Sequence, residues 1–230
     1  MLIPLLLARP LSPWSVDYIH ITLQKALSQA VKDDLIPRNV AAGERPHSTR
    51  HAAPDRVKAL SPAQVRALLD AARGTRNEAL YVVALHTGLR QGELLGLRWT
   101  DIDGGSVAVR QALKIADHGL DFGPPKNKAS RRSVRLNRTA ADALRAHKTR
   151  QNQERIAARE WHDMGLVFPN RIGKPSDPNN LYYREHKLLF AGAGLDGFTF
   201  HALRHSFATA LFSRGEQMRI ADLLITSWLL

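Results

Sequence analysis

The 230-residue sequence contains no cysteine. That excludes a disulfide framework, a thiolate metal site and a cysteine nucleophile. It also lacks an apolar run long enough to span a bilayer, since the apolar start from Leu2 to Ala8 is too short. No basic stretch precedes that run and no small-residue cleavage site follows it, so no secretory signal is expected and the cytoplasm is the default location. Acidic residues are scarce: 21 Asp and Glu stand against 33 Lys and Arg, a formal charge of +12, with a pI near 10.6. Such an excess asks for a polyanionic partner, most often nucleic acid. The other reading is a basic soluble protein with no specific ligand. Apolar residues are present in ordinary measure, at 44 %, which argues against wholesale disorder and supports a real core. The length predicts one to two domains, and no internal repeat is visible.

From Ser12 onward, Val16, Ile19, Leu23, Leu27 and Val31 recur at helical spacing, and Pro37 ends the run. One amphipathic helix cannot bury its own apolar face, so residues 1–40 read as the last part of a helical domain. Residues 41–58 are a linker by composition, with two prolines, a glycine and a basic cluster from Arg45 to His51. The linker is either a solvated spacer or a basic strap along nucleic acid. Residues 59–230 form the second region. Ser61-Pro62-Ala63-Gln64 carries an N-cap, a proline at the first helical position and a capping-box glutamine. Helices are predicted over 62–73, 77–87, 91–98, 139–161, 179–191 and 200–214. Strands are predicted over 106–111 and 133–136, with a Gly/Pro/Lys-rich turn at 123–130 between them. The order predicts a mostly helical α+β domain with one small antiparallel β-sheet.

Basic groups recur in contexts that surface charge alone does not require. Arg90, in HTGLRQGELLGLRWTDID, follows the Thr87-Gly88 end of one helix and opens the next. Glu93 lies three residues on and can hold it; an ion-paired structural arginine is the alternative. Lys126, in GPPKNKASRRSVRL, sits in the turn before a strand, where a lysine is ordinarily just solvated. Lys128, Arg131 and Arg132 make that segment a candidate phosphate-binding edge. In FTFHALRHSFATALFSRG, the spacing puts His201, Arg204 and His205 on one face near a helix start. Helix N-termini favour anions, so this is a good phosphate site. A capping histidine with a surface arginine is one alternative. A His201–His205 metal pair is another, but it lacks a third ligand, so no metal is expected.

These three segments, in this order, resemble the boxes of the tyrosine recombinases of the phage-integrase family. TGLRQGELLGLRWTDID resembles the first arginine box, PKNKASRRSV the lysine-bearing β-hairpin, and HALRHSFAT the second box with its His-x-x-Arg-His pattern. The segment from Ser12 to Ala41 resembles the tail of the family's core-binding domain, and the likeness covers roughly residues 12 to 224. The resemblance implies an integrase-type catalytic domain preceded by a remnant helix of the core-binding domain. It assigns Arg90, Lys126, His201 and Arg204 as catalytic, with Lys128 as the fallback for the lysine. It further implies attack on a DNA phosphodiester by a tyrosine hydroxyl, giving a 3′-phosphotyrosyl link with no cofactor and no metal. Two arginine forks would carry the developing charge, Lys126 would protonate the departing 5′ oxygen, and His201 would orient the phosphate.

The sequence departs from the family near its end. Where the family has a Gly-His turn, this chain has Ile225-Thr226, and no tyrosine follows before Leu230. Tyr18, Tyr81, Tyr182 and Tyr183 all precede Arg204. The expectation is therefore a truncated or frame-disrupted integrase, inactive alone because the nucleophile is missing. The expected partner is double-stranded DNA at att-like sites, with a homo-oligomer or an intact integrase on that DNA, and no membrane. The expected setting is the cytoplasm of a bacterial or phage-infected cell. The alternative is a non-catalytic duplex-DNA-binding protein.

Overall fold

The computed structural model describes residues 11, 13–43, 59–117, 119–125 and 131–213. The chain divides into two compact units, Met1–Arg56 and Val57–Leu230. In the first, helix α1 spans Pro13–Lys32 and buries Val16 and His20. It stops five residues before Pro37, because Asp34 adopts a left-handed φ of 54° and the Leu35 N–H turns back to the Ala30 carbonyl. Asn39 then donates to the Gln24 carbonyl at 2.9 Å and to the Ser28 hydroxyl at 2.8 Å, folding the tail against its own helix. Among the described residues, no helix is long and apolar enough to cross a membrane.

The second unit is a mostly helical α+β fold. Helix α2 (Pro62–Ala72) starts at the expected capping box: the Ser61 hydroxyl accepts from Gln64, and the Gln64 side chain accepts from Ser61. Helix α3 (Glu78–Thr87) is apolar almost all round, with Ala79 to Leu85 buried, so it forms the centre of the domain. It packs against helix α5 (Arg138–Ala157) and helix α8 (His201–Ser213). The core runs through Leu68, Leu80, Tyr81, Leu94, Leu95, Val107, Leu144, Phe168 and Leu203.

Helix α4 spans only Gln91–Leu95, not 91–98. Long-range pairing ends it: the Leu97 carbonyl accepts from Val167, the Trp99 N–H donates to Gly165, and Arg98 bridges Leu166. The brief apolar stretch Gly165–Pro169 thus claims the backbone that would have continued the helix. A 3-10 turn follows over Trp99–Asp101.

Strands β1 (Ile102–Asp103), β2 (Ser106–Ala108) and β5 (Ser133–Arg135) form one antiparallel sheet with order β1-β2-β5, in which Val107 faces both Ile102 and Val134. A second sheet, absent from the sequence expectation, is the hairpin of β3 (Ala112–Ala116) and β4 (Gly119–Gly123). Its first strand lies directly on α4. A Cβ on Gly92 would come within 2.6 Å of the Leu113 carbonyl, and one on Gly96 within 3.0 Å of the Leu113 nitrogen. These two glycines, one turn apart, let backbone meet backbone.

The predicted helix over 179–191 is three pieces. Helix α6 (Pro178–Leu181) is capped by Asp177, a π-helical turn covers Tyr182–His186, and helix α7 spans Lys187–Gly192. Tyr182 and Tyr183 therefore sit in a π turn rather than an ordinary α-helix.

Candidate active site

Glu93 organises the site. It is 3 % exposed, and both of its oxygens are used. The Arg90 backbone N–H donates to one oxygen at 2.9 Å, and the Arg90 guanidinium to the other at 3.0 Å. Arg132 adds a second fork, at 3.0 and 3.3 Å. Burial alone would raise the Glu93 pKa. The hydrogen bond and charge of Arg132, with the two bonds from Arg90, outweigh burial and hold the carboxyl below its ordinary value. The Arg90–Glu93 pair was legible from the three-residue spacing. The tie to Arg132 crosses 39 residues of sequence, and no local pattern announces it.

Arg204 comes from the first turns of α8 and is 5 % exposed, so the surface-arginine alternative fails. It donates to the Gly88 carbonyl at the end of α3. Gly88 has a left-handed φ of 61°, and any Cβ there would strike the Phe207 ring at 2.3 Å. That glycine lets α8 press against the α3–α4 junction. The same approach delivers Arg204 to the neighbourhood of Arg90 and Arg132. Burial, then the charges of Arg90 and Arg132, lower the Arg204 pKa to about 10, with Glu93 opposing. It remains cationic near neutral pH.

His201 is the first residue of α8, and its ring meets that of His205 edge-on at 5.1 Å. Burial, then His205, Arg204 and Arg90, lower the His201 pKa to about 4. Burial and Arg204 also lower that of His205. His201 is thus neutral near pH 7, surrounded by cations. A bound phosphate would reverse that balance by adding negative charge. The His201 pKa is expected to rise on anion binding, so binding takes up a proton and tightens as pH falls through the bound-state value toward the free value of about 4. NMR titration of the His201 ring with and without phosphate checks this; an unchanged or lowered value would remove His201 from the anion site.

The structure therefore brings Arg90, Glu93, Arg132, His201, Arg204 and His205 into one cluster. Arg131 is exposed beside it. Lys126, Lys128 and the departure at Ile225-Thr226 lie outside the described residues. Tyr81 is fully buried, while Tyr182 and Tyr183 are exposed. Among the described residues, no three His, Cys, Asp or Glu side chains come together as a metal ligand set.

Similarity to known proteins extends over most of the chain. Residues 58–224 match the model of the phage integrase family. The chain is 30% identical over 221 residues to a "Tyrosine recombinase XerC-like" of Caldanaerobacter subterraneus subsp. tengcongensis, covering 88% of this chain and 56% of that protein. It is 34% identical over 233 residues to an "Integrase" of Streptomyces ambofaciens, covering 95% of this chain and 58% of the relative. The chain thus spans little more than half the length of these relatives. Its fold resembles the Tn1549 transposon integrase in complex with a circular intermediate DNA, with a TM-score of 0.77 at 21% identity over 97% of this chain and 74% of that one. The lambda integrase dimer bound to a COC' core site matches with a TM-score of 0.61 at 20% identity, over 91% and 70%. With Arg90 and Arg204 gathered around the buried Glu93 and a family match over most of its length, the chain belongs to the phage integrase family.

Proposed function

We propose that this chain is the catalytic part of a site-specific DNA recombinase that holds a scissile phosphodiester of duplex DNA between Arg90 and Arg204. The observation that carries this reading is the convergence of both arginines, Arg90 from the α3–α4 junction and Arg204 from α8, beside a carboxylate that orients Arg90. Non-bridging phosphate oxygens that gain charge during attack would accept from the two guanidinium forks. Neutral His201 would orient the phosphate and help manage the nucleophile's proton. Lys126, with Lys128 as fallback, would protonate the departing 5′ oxygen. Arg131 and Arg132 would extend the contact to neighbouring phosphates. No cofactor or metal enters this scheme.

In this reading residues 59–230 are the catalytic domain, 41–58 a basic linker, and 1–40 the end of a core-binding domain. The DNA would be att-like sites in a bacterial or phage-infected cytoplasm, bound by a homo-oligomer or beside an intact integrase. Tyrosine supply supports a second reading. All four tyrosines of the 230 residues precede Arg204, and Tyr81 is buried and hydrogen-bonded to its neighbours. A polypeptide of these residues would bind and orient the phosphate without attacking it, acting as a duplex-binding protein.

A nicked suicide substrate and a salt titration test both readings. The expected result is salt-sensitive duplex binding with no covalent protein–DNA adduct on a denaturing gel. An adduct would overturn the non-cleaving reading, and absence of salt-sensitive binding would overturn the DNA reading.

A further inference from the structure

We infer that His186, in the π-helical turn beneath the site, is a positioning residue that ties the Arg90 turn to the His201 turn. The inference rests on the proposed phosphate site. His186 is 2 % exposed and lies outside the cluster around Glu93. Its ring stacks on Phe200 at 4.9 Å between centroids with a 29° interplanar angle. Phe200 immediately precedes His201. The Nε2 atom of His186 lies 3.2 Å from Nε2 of Gln91, the first residue of α4 and the neighbour of Arg90. One buried ring thus touches the chain one residue away from each of two groups in the site.

The hydrogen bonds around this ring have one consistent direction. The Gln91 amide nitrogen is a donor, so His186 Nε2 accepts and Nδ1 carries the proton. Nδ1 lies 2.5 Å from the Tyr81 hydroxyl and donates to it. Tyr81 in turn donates to Glu185 at 3.3 Å, and the other Glu185 oxygen accepts from Asn77 at 2.7 Å. Burial, then the charge and hydrogen bond of Glu185, push the Tyr81 pKa up, so it keeps the proton it donates. Burial lowers the His186 pKa to about 4, which keeps the ring neutral. Every member of the chain Gln91–His186–Tyr81–Glu185–Asn77 is satisfied, the condition under which a buried polar network specifies one arrangement.

The π turn makes this possible. Leu181 and His186 are five residues apart and both buried, which an ordinary α-helix would rotate away from one another. The inserted register points His186 inward beneath the site and leaves Tyr182 and Tyr183 outside.

Two measurements on the 230-residue chain test this role. In the unmutated protein, NMR of the histidine ring nitrogens should find His186 with Nδ1 protonated and Nε2 bare near neutral pH. A protonated Nε2 or a charged ring would overturn the inference. Inorganic phosphate is then titrated while the Arg90 and Arg204 side-chain N–H signals are followed. In the unmutated chain both should report one dissociation constant. His186→Phe, which keeps an aromatic ring against Phe200, should weaken phosphate binding about tenfold, the scale of one lost hydrogen bond. Tyr81→Phe should act in the same direction. Phosphate binding unchanged in a folded His186→Phe protein would overturn only the role of His186. Absence of any arginine response in the unmutated chain would overturn the proposed phosphate site and this inference with it.

Discussion

Replacing Glu93 with glutamine is expected to destabilise the domain by about 3 kcal/mol near neutral pH, because it breaks a buried charge cluster from one side. Glutamine keeps the shape but not the charge. It also turns an NH2 group toward guanidinium groups that have only donors to offer. Arg90 and Arg132 would then sit close together with no anion between them. The pH dependence makes the test specific. The folded Glu93 carboxyl titrates below its ordinary value of 4.5, so its contribution to stability is complete above that value. It is lost as pH falls through the lower, folded value. Glu93→Gln has no such contribution to lose. Urea unfolding should therefore show the two proteins far apart near neutral pH and converging in acid. Equal stability near neutral pH would mean that the clamp does not hold the fold, and a gap that widened in acid would reverse the sign argued here.

Arg204→Ala is expected to weaken duplex binding by about 2 kcal/mol and to lower the salt slope by about one phosphate contact. The loss should be similar for unrelated sequences, since a phosphate contact carries no base information. Arg204→Lys should not restore binding. The native side chain holds the Gly88 carbonyl through its planar guanidinium fork. An ammonium cannot hold that carbonyl and face an anion in the same planar geometry. Duplex affinity measured across a salt series for the three proteins checks this. A slope unchanged in a folded Arg204→Ala protein would show that Arg204 serves only the α3–α8 junction, and full rescue by lysine would show that a point charge suffices.

Much of the site was legible where its geometry is local. The spacing of Arg90 and Glu93 places them on one turn of chain, and the capping box at Ser61 announces a helix start through contacts three residues apart. His201, Arg204 and His205 fall on one helical face for the same reason. The helices around them were readable from apolar periodicity, though their ends were not. Helix α4 ends three residues before the local pattern predicts, because the segment that terminates it, Gly165 to Val167, is distant in sequence. The hairpin of β3 and β4 went unseen because its seat is the bare backbone of Gly92 and Gly96, and neither glycine names its partner in advance.

Sequence alone was enough for the residue types and the short-range pairs: the excess of basic groups, the arginine braced by a nearby glutamate, and the His-x-x-Arg-His turn. Hydrogen bonds and helical faces within a few residues depend only on local backbone geometry, so they can be read directly. Packing settled which of these groups act together. Arg132 meets Glu93 across 39 residues, Arg204 reaches Gly88 across 116, and His186 approaches Gln91 across 95. Each of these contacts exists because packing selects which distant segments come within hydrogen-bond reach. That choice is made by the shape of the whole core, and no window of sequence contains it.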